Sequence, residues 1–264
     1  MSALRWRGLA LELWLPALLV LLWWLSSRGS TSLYFPPLAQ ILDRFASDWL
    51  FARVGSDLLP SLRNLAAGFA IGAGLGVALG VALGLSPLAR LALPLLEVMR
   101  AVPVIALIPL VIMLMGTGDG EKIAIIAFGT LWPVLLNTTE GVRMIDPTLR
   151  DATATMGLRK RDTLMRVVLP AASPQIFAGL RLAVSIALVA TVGSELFAST
   201  RGIGYVILSA TQGWDMPQMW AALIMLGIIG YALNGLMSLA ERRALGWHHS
   251  HAASGFDSSH RRER

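Results

Sequence analysis

The chain has 264 residues, of which 55% are hydrophobic and only 14% charged, against about 25% charged in an ordinary soluble domain. That deficit excludes a water-facing surface, and the absence of cysteine excludes a disulfide framework or a thiolate metal site. Lys122 and Lys160 are the only lysines among 22 basic residues, and the net charge of +6 sits between apolar runs, a placement that points to membrane topology and away from a nucleic-acid surface.

A helix crossing a hydrocarbon core needs about 20 mostly apolar residues, and six segments approach this. The first, Leu9 to Leu25, follows Arg5 and Arg7. It is long for a cleavable signal and is expected to remain as an uncleaved span. Between it and the second span, Leu38, Ile41, Leu42, Phe45 and Trp49 recur at helical spacing. That periodicity predicts an amphipathic helix over Pro37 to Phe51, lying at the outer interface or capping the external mouth.

No charge occurs between Arg63 and Arg90, and this second span carries Gly68, Gly72, Gly76, Gly80 and Gly84. Four-residue spacing leaves a small-residue groove along one side, suited to close approach of another helix. A nucleotide-binding glycine loop would need a preceding strand and a following lysine, and neither is present. The third span is expected over Leu91 to Met115 and the fourth over Ile123 to Thr139. The fifth covers Pro174 to Val192, interrupted by Arg181, and the sixth Pro217 to Ala240.

Charge orients these spans. Arg143, Arg150, Arg159, Lys160, Arg161 and Arg166 crowd the segment between spans four and five, and arginines also flank both ends of the chain. Six spans with both termini cytoplasmic place all three stretches on one side. Gly116 to Lys122 and Ser194 to Met216 then face outward. The final stretch, from Gly246, lacks periodicity and reads as a disordered tail. It holds all four histidines, His248, His249, His251 and His260, without the scaffold a metal site needs.

The basic segment itself has a legible shape. Asp146 is placed to cap a helix beginning at Pro147, and Gly157 stands where a helix needs a left-handed residue to stop. A second short helix is expected over Arg159 to Val168, ended by Pro170. Charges near the spans leave alternatives open. Glu97 and Arg100, three apart, form a local ion pair or contribute a gate with Pro103, and Arg181 snorkels or faces a cavity. Glu195 contacts an external protein or pairs with Arg201.

Asp151, Ala152, Thr153, Gly157, Leu169 and Pro170 stand at the spacing Glu-Ala-Ala, three residues, Gly, nine residues, Ile-x-Leu-Pro. Asp151 replaces the glutamate, Thr153 the second alanine and Val167 the isoleucine. The chain thereby resembles the membrane subunits of binding-protein-dependent ABC importers. Further motifs are similar to the sulfonate, taurine and nitrate permeases: Arg100 to Pro103 with Ala106 to Leu110, Gly129 to Pro133, Asn137 to Gly141, and Glu195 with Gly202 to Tyr205. The aliphatic sulfonate branch shares the most of these, through Ala106 to Leu110 and Asn137 to Gly141.

The resemblance implies an all-α polytopic protein of about six transmembrane helices, type I ABC importer-like, with a cytoplasmic coupling hairpin. Residues 1–56 form an N-terminal span and external helix, 57–241 the permease core including a coupling loop over 140–172, and 242–264 the tail. It implies an inner-membrane location, a second copy of the permease, two ATPase subunits and an extracytoplasmic solute-binding protein. The chain has no Walker-type loop, so ATP and Mg are expected on the partner ATPase, with no catalytic residue, metal or cofactor here. The implied cargo is a small anion, an aliphatic sulfonate first, with taurine, nitrate or a pyrimidine precursor as alternatives. The competing reading is a membrane scaffold or receptor.

Overall fold

A computed structural model describes residues 2–197 and 199–245; the predicted disordered tail from Gly246 and its histidines lie outside the described residues. Every regular element among the described residues is helical. Among the described residues, four helices are long and apolar enough to cross a membrane, or five where the bent pair counts as one span. The chain clusters into two units.

The first unit comprises residues up to Pro60 together with Thr200–Gly227. It contains α1 (Ser2–Ser27) and α2 (Leu38–Ser47), followed by two π turns, Asp48–Ala52 and Val54–Leu58. The predicted amphipathic helix therefore exists but is shorter than Pro37 to Phe51 and changes pitch at Asp48. Leu38, Ile41 and Trp49 are buried, while Leu42 and Phe51 are exposed. Ser27 Oγ accepts the Leu38 amide at 3.1 Å, fixing the start of α2 to the end of α1. A further helix, α10 (Ile203–Gln212), occupies the segment expected to be a loop.

Two buried aspartates organise this unit. Asp48 receives Arg53 Nε at 3.3 Å, Gln218 Nε2 at 3.2 Å and an ion pair from Arg44 at 3.4 Å. Asp57 receives Arg53 Nη1 at 3.3 Å, Ser56 Oγ at 2.8 Å and the Gly202 amide at 3.0 Å. A carboxylate out of water must be paired and hydrogen-bonded to avoid a several-kcal/mol penalty, and both are. Trp23, Phe35 and Trp220 form an aromatic cluster beside this network, with centroids 5.5–6.4 Å apart.

The second unit comprises Ser61–Ser199 and the chain from Ile228 onward. Its frame is α3 (Leu59–Leu85), α6 (Asp119–Arg143) and α9 (Leu169–Leu196). The glycine stripe of α3 lies against α6 in parallel register. A Cβ on Gly68 would meet Ile126, on Gly72 Thr130, on Gly76 Val134, on Gly80 Thr138 and on Gly84 Val142. Each four-residue step on one helix is matched by four on the other. Where lipid gives no hydrophobic drive between helices, this backbone approach supplies the packing. α9 runs antiparallel to α6, with Gly179 against Asn137, Gly141 against Gln175 and Gly129 against Ile186.

Two expectations change here. The third span is not continuous: α4 (Ala89–Arg100) and Val104–Met115, a 3-10 turn leading into α5 (Ile108–Met115), are bent by 75°. Pro103 has no amide proton, and a residue before proline is pushed away from helical angles, so the ladder cannot pass Val102. The helix expected to end at Pro170 does continue. α8 (Lys160–Thr163), a π turn over Leu164–Val168 and α9 make one 37-residue helix, Lys160–Leu196. The Leu169 amide bonds back to Leu164, so the register shifts one place before Pro170, whose missing donor then leaves no gap. α11 (Met216–Ala244) carries Arg242 and Arg243 in its last turn, so it runs beyond the boundary expected at residue 241.

Candidate functional site

Between α6 and α8 stands one short helix, α7 (Pro147–Thr155). Its start is capped: Asp146 Oδ1 accepts the Thr148 amide at 2.8 Å. The side-chain and backbone hydrogen bonds of Thr148 hold the Asp146 carboxyl below its ordinary range. Its end is a left-handed stop. Gly157 has φ +66°, and the Leu158 amide reaches back to the Thr153 carbonyl at 3.3 Å, with Met156 bonding to Ala152 at 3.1 Å. The six-to-one bond across a left-handed glycine is the Schellman arrangement. A Cβ at Gly157 would meet nothing within 4 Å, so backbone angle alone selects glycine there.

The motif residues divide by exposure. Thr153 is 7% exposed and turns into the hairpin, and Leu169 packs against the cluster of Val81, Val142, Val168 and Ile176. Pro170 is half-buried in the first turn of α9. Asp151 lies within α7 and Ala152 is half-buried. Among the side chains the hairpin exposes are four apolar ones, Leu149, Met156, Leu158 and Met165, Met156 at 75%, set among exposed Arg159, Lys160, Arg161 and Arg166. Sequence reading centred on the small residues and gave Leu149, Met156 and Met165 no partner-facing role. Their signal was present in the motif's spacing, because Leu149 and Met156 lie seven apart, two helical turns on one face.

Arg100 and Glu97 meet at 3.0 Å on the exposed face of α4, each more than half exposed. Pro103 forms the break and, with Val104, Ile105, Ser185, Ile186, Val189 and Ala190, lines an apolar recess of about 390 Å³. Arg181 of α9 pairs with Glu241 of α11. Glu195 is 1% exposed and accepts the Ser61 hydroxyl at 2.6 Å. Arg201 follows α9 in the connection to α10, itself exposed and with an interacting partner. The gate candidates on α4, Arg181 and Glu195 therefore occupy three separate environments.

Polar contacts that the sequence did not reveal knit the nearby helix ends. Asn64 Nδ2 donates to Asp119 at 3.2 Å and Lys122 Nζ to Ser199 Oγ at 2.7 Å. Glu121 and Lys122 are 3% and 5% exposed, although the segment up to Lys122 was expected to be an outward loop. Helix α6 begins at Asp119 and carries both charges inside. Among the described residues no group of three or more metal-ligating side chains occurs.

Residues 70–246 match the family described as the binding-protein-dependent transport system inner membrane component. This chain belongs to that family. It is a membrane-spanning permease component of an ABC importer. A protein described as an aliphatic sulfonates transport permease, SsuC of Bacillus subtilis (strain 168), is 34% identical over 158 residues, 60% of this permease and 57% of that protein. The taurine transport system permease protein TauC of Escherichia coli (strain K12) is 29% identical over 255 residues, 92% and 93% of the two chains. A chain of the MetNI methionine ABC transporter, solved in inward-facing conformations, superposes with a TM-score of 0.58 at 20% identity. That match covers 74% of this permease and 95% of the other chain, and it is a likeness of fold.

Proposed function

We propose that this permease forms, as a homodimer, the pathway by which a small organic anion, an aliphatic sulfonate, enters the cell. Two separate ATPase subunits hydrolyse ATP, and an extracytoplasmic binding protein delivers the solute. The observation that carries the coupling role is α7, capped by Asp146, stopped by Gly157 and presenting Leu149 and Met156. An exposed apolar pair, one member on a capped short helix and the other in the turn that ends it, suits insertion into a partner's groove. Both termini are then cytoplasmic, which puts α7 on the side where ATP is available. ATP drives the cycle through the different affinities of the ATPase pair for two arrangements of the spans. Asp151 and Ala152 contribute to the ATPase contact, while Thr153, Leu169 and Pro170 shape the hairpin from within.

The sulfonate cargo is supported by the relative from Bacillus subtilis, and taurine, itself a sulfonate, by the longer match. Uptake measured in a strain lacking its own sulfonate importers, with this permease co-expressed with its neighbouring ATPase and binding protein, tests the reading. Import of an alkanesulfonate ahead of taurine and nitrate is expected. Import of nitrate or a pyrimidine precursor alone would reassign the solute, and an absence of ATP-dependent import of any of them would favour a scaffold.

A further inference from the structure

In the first unit, α1 is fastened by only part of its surface. Trp23 stacks into the aromatic cluster and Ser27 holds the Leu38 amide. Another stripe of the same helix, Val20, Leu21 and Trp24 above Pro16, faces a groove closed on its other side by α2. The groove measures about 780 Å³, within the range of roughly 300–1,000 Å³ typical of ligand sites. Its lining from α1 and α2 is wholly apolar in residue type.

Helical spacing continues this stripe to a charge. Pro16, Val20 and Trp24 are each four apart, and four more reach Arg28, whose amide still bonds to the Trp24 carbonyl at 3.1 Å. The exposed guanidinium lies 4.6 Å from the centre of the Trp24 ring. No carboxylate pairs with Arg28 among the described residues. The nearest acid on the groove's second wall is Asp43, five residues beyond the Ser27–Leu38 anchor, about 7.5 Å along α2. An apolar slot with an arginine and a tryptophan at one end matches an amphiphile with a long hydrocarbon tail and an anionic head. A span's tryptophan and arginine also sit at the depth of lipid headgroups.

We propose that the α1–α2 groove is a binding site for one anionic glycerophospholipid, an acyl chain lying between Val20, Leu21 and Leu42 and the phosphate held by Arg28. The lipid fills the space that α1 leaves against α2 and secures the first span at its interfacial end.

The test is native mass spectrometry of the full-length permease, released from mild detergent after exchange with equal amounts of phosphatidylglycerol and phosphatidylcholine of the same chains. Wild-type protein is expected to retain one phosphatidylglycerol per chain in preference to phosphatidylcholine. Arg28→Ala should reduce that preference roughly fivefold, the effect of one interfacial basic residue on an anionic lipid, and Arg28→Lys should restore most of it. Ala39→Trp, which fills the slot, should remove both lipids while the thermal unfolding midpoint shows the protein still folded. Equal retention of the two lipids by wild type would overturn the proposal. So would an Ala39→Trp variant that keeps its lipid but loses its dimer, since the groove would then belong to a second copy.

Discussion

The α3–α6 interface and the α4–α5 break begin as similar stretches of sequence, long, apolar and nearly uncharged, and end as opposites. Along α3, glycines at every fourth position bring two backbones together at five successive positions. Along the third span, prolines at 94, 103 and 109 leave a 75° bend and a surface on which Leu91, Leu95 and Val98 are exposed. Hydropathy alone cannot separate them. The difference lies in where the backbone is allowed to approach another backbone and where it is prevented from bonding to itself.

The largest expected effect tests the first side of that contrast. Gly76→Leu must push into Val134 and the Leu131 carbonyl, 2.8–3.0 Å from where its Cβ would stand, and overpacking of this kind costs about 1–3 kcal/mol or more. Gly74→Leu, two residues away with nothing within 4 Å, should be near neutral. Detergent unfolding midpoints of the two variants check this, and equal midpoints would show that the ladder is not a packing device.

Gly157→Val comes next. A left-handed angle costs a non-glycine residue about 1–2 kcal/mol, and a β-branched one more, so transport should fall while membrane insertion persists. Gly157→Asn, tolerant of that angle, should retain most activity. Parallel uptake and ATPase assays read both, and a Val variant with normal coupling would remove the conformational argument.

On the bent span, Glu97→Gln should cost only about 0.2–0.5 kcal/mol, the worth of an exposed helical pair. A severe transport defect with unchanged stability would instead reveal a gate at Arg100.

The smallest effect is at Asp146. Because hydrogen bonding depresses its carboxyl in the folded protein, the cap is fully present above the ordinary carboxylate pKa, about 3.9, and is lost as pH falls through the lower folded value. Hydrogen-exchange protection at Thr148 should therefore be flat from neutral pH to about 4 and fall below it, and Asp146→Asn should abolish that dependence.

The hairpin was legible because its signals are local. A capping aspartate, a proline at the first helical position and a stop glycine each act within a turn. The glycine stripe was legible as a groove, though its partner α6 was not, since partner choice depends on residues 58 positions away in the chain. The break at Pro103 was missed because hydropathy outweighed the proline's backbone chemistry. The continuity through Pro170 was missed for the complementary reason, since an earlier shift of hydrogen-bond register can absorb a proline. Buried polar pairs such as Ser61 with Glu195 and Lys122 with Ser199 carry no sequence spacing at all.

That register shift has a mechanical consequence. Lys160–Leu196 is one 37-residue rod, about 55 Å long at 1.5 Å per residue, and the hairpin joins it three residues after Gly157. A tilt of about 5° imposed at that end sweeps the opposite end through roughly 5 Å, the rise of about one helical turn. Had Pro170 ended a separate helix, the same motion would have dissipated at a joint. The five residues of π turn keep the backbone helical through Pro170, so the hairpin end and the far end of the span belong to one helix.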